Sequence, residues 1–379
     1  MPGRLLSLLL FFLSLPVALS AQGGGAMLNG ALWPDASGHH INAHGGGLLR
    51  HRGKYYWFGE DKDARTNAAL TGVSCYVSHD LRRWTKCPFP ALSVDTADAA
   101  SPIARGCTLE RPKVVYNRRT RRFVMWFHLE LPGMGYAAAY AGVAVSRRPE
   151  GPYRFIGARR VNAGGWPLDM DGAARQQADT LRTVNYREWW TPAWREAVRA
   201  GLFLRRDLVG GQMARDQQLF VDTDGTAYHV YSSEDNLTLH IAELTPDYLS
   251  HTGRYVRVAP GGQNEAPCLF RAAGWYWLVT SGCTGWEPNA ARLYRARSIW
   301  GPWEGDLGNP CRGGTPQRPA EKTFLGQGTQ VFPLPDGRLL FLADEWHPQE
   351  PSDGRYLWLP VTLGGEGLPE IHWRDRWDD

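Results

Sequence analysis

The chain has 379 residues, with 42 Lys and Arg against 38 Asp and Glu, a formal charge of +4. That length holds two ordinary domains or one large β-rich one, and 43% hydrophobic with 21% charged residues is a globular composition. So small a charge argues against a nucleic-acid binder, and 17 Trp, 15 Tyr and 13 Phe beside 43 Gly and 26 Pro exclude a helical bundle.

Arg4 precedes an apolar run, Leu5 to Leu19, and Ala18-Leu19-Ser20 offers small residues where a signal peptidase reads. Residues 1–20 therefore read as a signal peptide, a run too short to span a bilayer comfortably. A retained anchor is the alternative. The reading predicts a secreted or periplasmic protein that starts near Ala21, and no later run is long and apolar enough for a membrane span. Six cysteines follow: Cys75, Cys87, Cys107, Cys268, Cys283 and Cys311. An even number in an exported chain suits disulfides, and Cys75 with Cys87 and Cys268 with Cys283 each flank a strand–turn–strand pattern. Local staples are expected there, with free buried thiols as the alternative. No CxxC occurs, so no zinc site is expected.

A turn followed by an aromatic strand recurs five times, at Gly53–Glu60, Thr120–Phe127, Asp224–Tyr231, Gly274–Val279 and Asp336–Leu342. Asp-Gly before an apolar run is a hairpin signal. The first four are followed by an outer-strand motif, at Ser78–Trp84, Ser146–Tyr153, Ala242–Tyr248 and Ala296–Trp303, and the last closes through Leu357–Val361. Small antiparallel sheets at such a repeat length predict an all-β fold, a five-bladed β-propeller over residues 21–379. A β-sandwich would not need the paired motifs to recur. The interval from Thr120 to Asp224 is too long for one blade, and its excess, about 157–211, reads as a partly helical insertion. Pro192 can open a helix there with Trp194 and Val198 on one face. The insertion either shapes the substrate cleft or is a passive surface helix.

Propellers place ligand sites on the axis, where the innermost strands begin. Five polar segments precede such strands: Ala43–Gly47, Glu110–Lys113, Ala214–Gln218, Asn264–Pro267 and Gly326–Gln330. The glycines after His44 lack the helix and Gly-Lys-Ser/Thr of a phosphate loop. They suit close approach of backbone or ligand, and His44 is either a ligand to a sugar hydroxyl, ion or water or an ordinary packed histidine. Asp216 and Glu265 stand at equivalent positions on neighbouring blades, so both carboxylates face the axis together. Two acids in a confined site push one pKa up, as a general acid requires, and ion pairing with Arg111 or Arg215 is the plainer alternative.

The run Ile41–Leu49 with Tyr55–Glu60 resembles the opening of glycoside hydrolase family 43, and within it the branch of exo-β-1,3-galactanases. Glu110–Val114, Arg215-Asp216 with Asp224–Tyr228, Glu265-Ala-Pro267, Thr284–Asn289 and Gly326–Thr329 are similar to further blocks, over about 35–345 apart from the insertion. The resemblance implies a five-bladed propeller that cleaves glycosidic bonds with inversion. By position it implies Glu265 as general acid, Asp216 as the residue that orients it and adjusts its pKa, and Gln327 as holder of the attacking water. It further implies sugar contacts from Glu110, Glu60, Tyr136, Asn236 and Thr284, with Trp286 as a stacking platform, beside the contact to a sugar hydroxyl that His44 could make. The base that most of the family carries near Ala43-His44 is missing here, and the usual Ser-Gln pair is Gly326-Gln327. A neutral amide is a poor base, so a proton acceptor such as Glu110 enters, or catalysis rests on acid protonation and orientation.

The leading expectation is thus an exported, monomeric, exo-acting glycoside hydrolase that releases galactose from β-1,3-galactan of the arabinogalactan type. An α-L-arabinofuranosidase or β-xylosidase of the same family is an alternative, as is a non-catalytic sugar-binding propeller. No cofactor is required; the resemblance allows a structural calcium ion on the axis.

Overall fold

The computed structural model describes residues 27–181 and 190–377, so the expected signal peptide lies outside the described residues. The recurring motif forms hairpins because its turn residues accept left-handed backbone. Arg52 and Gly53 sit at φ 50° and 77° between paired His51 and Lys54, and Ala273 and Gly274 at 49° and 76° between Ala272 and Trp275. Consecutive positive φ angles make the tight turn whose twist suits flanking strands.

Five blade sheets result, built of antiparallel hairpins, with one parallel pair, Cys311–Arg312 on Pro369–His372, at the outer edge of the fifth. Their innermost strands are His44–His51, Thr108–Asn117, Gln217–Val221, Glu265–Ala272 and Gln327–Pro333, and each is followed outward by the second strand of its hairpin. Each innermost strand packs on those of the blades before and after, and the fifth closes on the first, which makes a five-bladed β-propeller. Glutamine side chains stitch neighbouring blades. Gln218 accepts from Leu269 N and donates to Leu269 O, while Gln330 accepts from Leu48 N (2.7 Å) and donates to Leu48 O (3.3 Å). Each amide satisfies an inner-edge N–H and C=O that no strand reaches.

The ring is closed at its seam by Met27–Leu28, paired with Arg376–Trp377. Beside it Asn29 accepts from Trp358 N (2.7 Å) and donates to Trp358 O (3.2 Å) and Arg374 O (2.9 Å). Leu357–Val361 lies within the third strand of the fifth blade, Arg355–Leu363, as the sequence predicts. Most aromatics fill the space between blades: Trp33, Trp84, Trp126, Trp277 and Trp358 are fully buried. No helix among the described residues is long and apolar enough to cross a membrane.

The outer strand of the second blade runs to Arg159, so the insertion begins later than residue 157. Its base is a two-way backbone bridge between Val161 and Gln212 (3.0 and 2.6 Å). It carries helices α1 (Gly172–Thr180), α2 (Pro192–Arg199) and α3 (Leu202–Asp207). Pro192 opens α2 behind a Thr191 cap, with Trp194 and Val198 buried on its inner face. The expected staples are corrected: all six cysteines are free. Cys75 and Cys87 lie side by side as hydrogen-bonded thiols. Cys268 instead points into the core against Gly328, while Cys283 sits on the loop beyond Ser281 and donates to Asn236 O.

Candidate active site

Four innermost strands begin with a break in register: between His44 and Gly47, Glu110 and Lys113, Glu265 and Cys268, and Gly328 and Gln330. In three of them the second residue is left-handed, Gly45 at φ 59°, Arg111 at 52° and Ala266 at 50°. Such a bulge turns an N–H out of its own ladder and re-aims the side chain before it. A carboxylate of the preceding blade captures each freed N–H. Asp344 accepts from Gly45 N (2.5 Å), Glu60 from Arg111 N (3.0 Å) and Asp216 from Ala266 N (3.0 Å). The bulges thus gather acids at one mouth of the axial channel, with Glu60 and Asp216 on its wall and Asp344 outside its lining.

That mouth is a cavity of about 290 Å³ lined by Glu60, Lys62, Glu110, Arg111, His128, Tyr136, Arg215, Asp216, Asn236, Glu265, Gly285, Trp286, Gln327 and Trp346. Glu265 and Asp216 are brought together as expected, Asp216 reaching the amide that directly follows Glu265. Burial, then the neighbouring Asp216 charge, pushes the Glu265 carboxyl up to about 7, against Arg111 and hydrogen bonds from Asn236 and Cys283. Asn236 Nδ2 donates to Glu265 Oε1 at 2.7 Å. Ion pairing and proton tuning coexist: Arg111 pairs with Asp216 at 2.9 Å and leaves Glu265 as the acid that keeps a proton near neutrality.

Gln327 lies beside that acid. Its Nε2 donates to Ser281 Oγ (2.9 Å) and, at 3.5 Å, toward Glu265 Oε2. Its carbonyl oxygen accepts from Arg111 (2.5 Å) and Trp346 Nε1 (2.8 Å), so both lone pairs are engaged.

The second blade supplies the opposite electrostatic extreme. His128 lies buried between Glu110 Oε2 (3.0 Å) and Glu130 Oε1 (2.9 Å), and Tyr136 donates to Glu110 Oε1 at 2.7 Å. Burial alone would neutralise these groups. The two glutamates nevertheless raise His128 to about 9, and hydrogen bonding and charge from His128 hold Glu110 down at about 2. Glu60 pairs with Lys62 at 2.7 Å, and burial still raises its carboxyl.

Two expected contacts fall elsewhere. His44 is corrected to a packing residue: fully buried and outside the cavity lining, its ring stacks on Tyr356 at 5.3 Å. Thr284 does not line the cavity; its hydroxyl bonds Glu287 O and Asn289 Nδ2 (2.7 Å), which shapes the loop that presents Trp286. Lys62, His128 and Trp346 line the site without having been singled out, and Arg111 and Arg215 were foreseen only as ion-pair partners. No cluster of His, Cys, Asp or Glu fit to hold a metal occurs among the described residues. Lys113 Nζ occupies Gly45 O (2.7 Å) on the inner strands, so an axial cation would compete with an ammonium there.

The sequence profile "Glycosyl hydrolases family 43" matches residues 193–359. The fold superposes on a GH43 β-1,3-galactosidase solved with galactodeoxynojirimycin at TM-score 0.88 and 53% identity, over 93% of this chain and 100% of that one. An exo-β-1,3-galactanase from Clostridium thermocellum gives TM-score 0.71 and 33% identity over 92% of this chain and 65% of that one. One from Phanerochaete chrysosporium with β-1,3-galactotriose gives 0.69 and 28% over 91% and 66%. Comparison with curated proteins gives no match. With these acids at its axial mouth and this likeness along nearly its full length, the chain belongs to glycoside hydrolase family 43.

Proposed function

We propose that this protein is an exported exo-acting hydrolase that releases galactose from β-1,3-galactan with inversion, and that Glu265 is its general acid. The observation that carries the reading is one small cavity that holds Glu265 of the fourth blade, beside Asp216, together with Glu110 of the second, bound by His128 and Tyr136; burial pushes the first carboxyl up, and His128 keeps the second ionised. An inverting site needs such a pair, one group to protonate the leaving oxygen and one to take the proton of water. Glu265 gives its proton to the glycosidic oxygen as the C1–O bond breaks. Water adds to C1 from the other face, and its proton passes to Glu110. Gln327 orients the sugar side of the acid through Nε2, since its oxygen is already taken by Arg111 and Trp346.

The substrate follows from the relatives, which are named as a β-1,3-galactosidase and exo-β-1,3-galactanases. A cavity walled by all five blades supports exo action, since it suits a chain end better than a chain interior. The leader at residues 1–20 supports export, secreted or periplasmic, and the protein is taken to act as a monomer without a cofactor. The test is digestion of β-1,3-galactan followed by proton NMR. Galactose alone, appearing first as the α-anomer, is the expected result. Oligosaccharides as first products would end the exo reading, the β-anomer would end inversion, and action confined to nitrophenyl arabinofuranoside or xyloside would end the substrate assignment.

A further inference from the structure

Among the described residues the insertion contributes no side chain to the cavity, yet it grips the turn that touches Glu265. Glu234, Asp235 and Asn236 are consecutive non-glycine residues at φ 53°, 57° and 63°. Left-handed backbone is unfavourable for L-residues, so three in a row persist only where surroundings impose them.

The insertion supplies two of those surroundings directly and backs the third through Arg257 of the blade. Glu234 is fully buried and paired with Arg257 (2.7 and 2.8 Å), whose remaining donors cap Val198 O (2.9 Å) and Arg199 O (2.8 Å) at the end of α2. Leu237 packs among Trp194, Val198, Leu202 and Phe203. Between them, Asp235 Oδ2 meets Arg206 Nη1 of α3 at 2.6 Å. Arg206 is itself aimed by Asp207 (2.9 and 2.6 Å) and lies over the Phe203 ring at 4.7 Å. Arg215 is a weaker second partner of Asp235, at 3.8 Å. With Asp235 and Leu237 held from the insertion, and Glu234 by Arg257 and His240 (3.0 Å) of its own blade, Asn236 projects to Glu265 Oε1 at 2.7 Å.

We propose that the insertion is a brace for the catalytic acid, and that Arg206 is a positioning residue acting through Asp235 and Asn236 on Glu265. This rests on the reading of Glu265 as the acid. It gives the insertion a role at a distance: its helices hold a strained turn in the one geometry that orients the carboxyl.

The test is a double-mutant cycle on β-1,3-galactobiose with Asn236→Ala, Arg206→Met and the pair. Asn236 donates to the ionised form of Glu265, so Asn236→Ala should lower kcat about tenfold and move the alkaline limb of the pH profile upward. Arg206→Met should move kcat and the limb in the same direction by a smaller factor, about threefold in kcat, with KM little changed. Arg206→Lys should recover part of the loss. The double variant should match Asn236→Ala alone to within twofold, because both act on one contact. Wild-type kcat and pH profile in Arg206→Met, or losses that multiply in the double variant, would overturn the brace. Asp235→Asn gives the same readout should Arg206→Met fail to fold. Glu265→Gln separates the two readings: full activity there removes the acid assignment, whereas an inactive Glu265→Gln beside a neutral Arg206→Met removes only the brace.

Discussion

The two mouths of the axial channel are built from the same five strands and differ in kind. The one where the strands begin is a cavity of about 290 Å³ with Glu60, Glu110, Asp216 and Glu265 on its wall. The other is wider, about 680 Å³, and is walled by Val115, Phe220, Leu269 and Phe332 with Arg50, Arg52, Arg118 and Arg271 around it. Past the bulges the ladders run regularly, as in Leu48–Trp57 and Leu49–Tyr56, and alternate side chains simply pack. At the strand starts, the left-handed residues free N–H groups that demand acceptors, and acids are fixed there in consequence. Volume therefore misleads about chemistry; displaced amides and the carboxylates that answer them locate it.

The strongest way to break this contrast is to neutralise one charged group at each mouth. Glu265→Gln should lower kcat on β-1,3-galactobiose by roughly 10²–10⁴-fold, the usual worth of a general acid. Arg271→Ala at the wide mouth should leave kcat and KM at wild-type values, because its partners Asp222, Thr223 and the Tyr276 ring lie outside the acid cavity. A comparable loss in Arg271→Ala would make the wide mouth functional.

Next in size is a stability effect. Arg111 is buried and binds Asp216, Gln327 and Gly328 O, so Arg111→Met takes the cation from the half-buried Asp216 carboxylate, leaving it the Ala266 N–H, and strands the Gly328 carbonyl. Urea unfolding should show a loss of about 3–5 kcal/mol. Arg118→Met, exposed at the opposite mouth, should stay within about 0.5 kcal/mol of wild type.

The fold was legible because turn chemistry and aromatic alternation repeat along the chain, and a repeat is read as an arrangement without knowing any contact. Asp216 and Glu265 were legible for the same reason, as equivalent positions on successive blades. Lys62, His128 and Trp346 were not, because they lie at or just beyond the ends of second strands, where the sequence shows only apolar runs giving way to charge. Register would have come within one residue of one of them: pairing the hairpin out from its turn sets His128 opposite Arg111, and the bulge between Glu110 and Lys113 moves it opposite Glu110. Arg111 was visible beside Glu110, but nothing in one sequence shows that a bulge turns its backbone toward Glu60 while its side chain spans to the fifth blade. His44 failed for the converse reason. It shares its strand position with Glu110 and Glu265, yet the ring turns onto Tyr356 and leaves the mouth.

The pH dependence sharpens the contrast within the acid pair. With Glu265 raised to about 7, the alkaline limb of kcat/KM should fall near pH 7. Asp216 raises that value by its charge, whereas Arg111 and Asn236 lower it. Asp216→Asn should therefore move the limb to lower pH, so that activity lost at pH 7 is partly recovered at pH 5. Asn236→Ala should move it the other way. Two variants on one carboxyl with opposite shifts would fix Glu265 as the titrating group; shifts of one sign would place the limb elsewhere.

The smallest effect belongs to the rim. Trp286 is 42% exposed and meets Trp346 edge to face at 5.8 Å and 70°, so one of its faces is open toward the cavity. A ring that stacks on a sugar face binds ground state and transition state alike, and such binding lowers KM without raising kcat. Trp286→Ala should accordingly raise KM with kcat unchanged. If the stacking contact is worth ~0.5–1.5 kcal/mol, the rise is roughly two- to twelvefold. A fall in kcat instead would mean that Trp286 holds Trp346, and through it the Gln327 amide, in the catalytic geometry rather than serving the sugar directly.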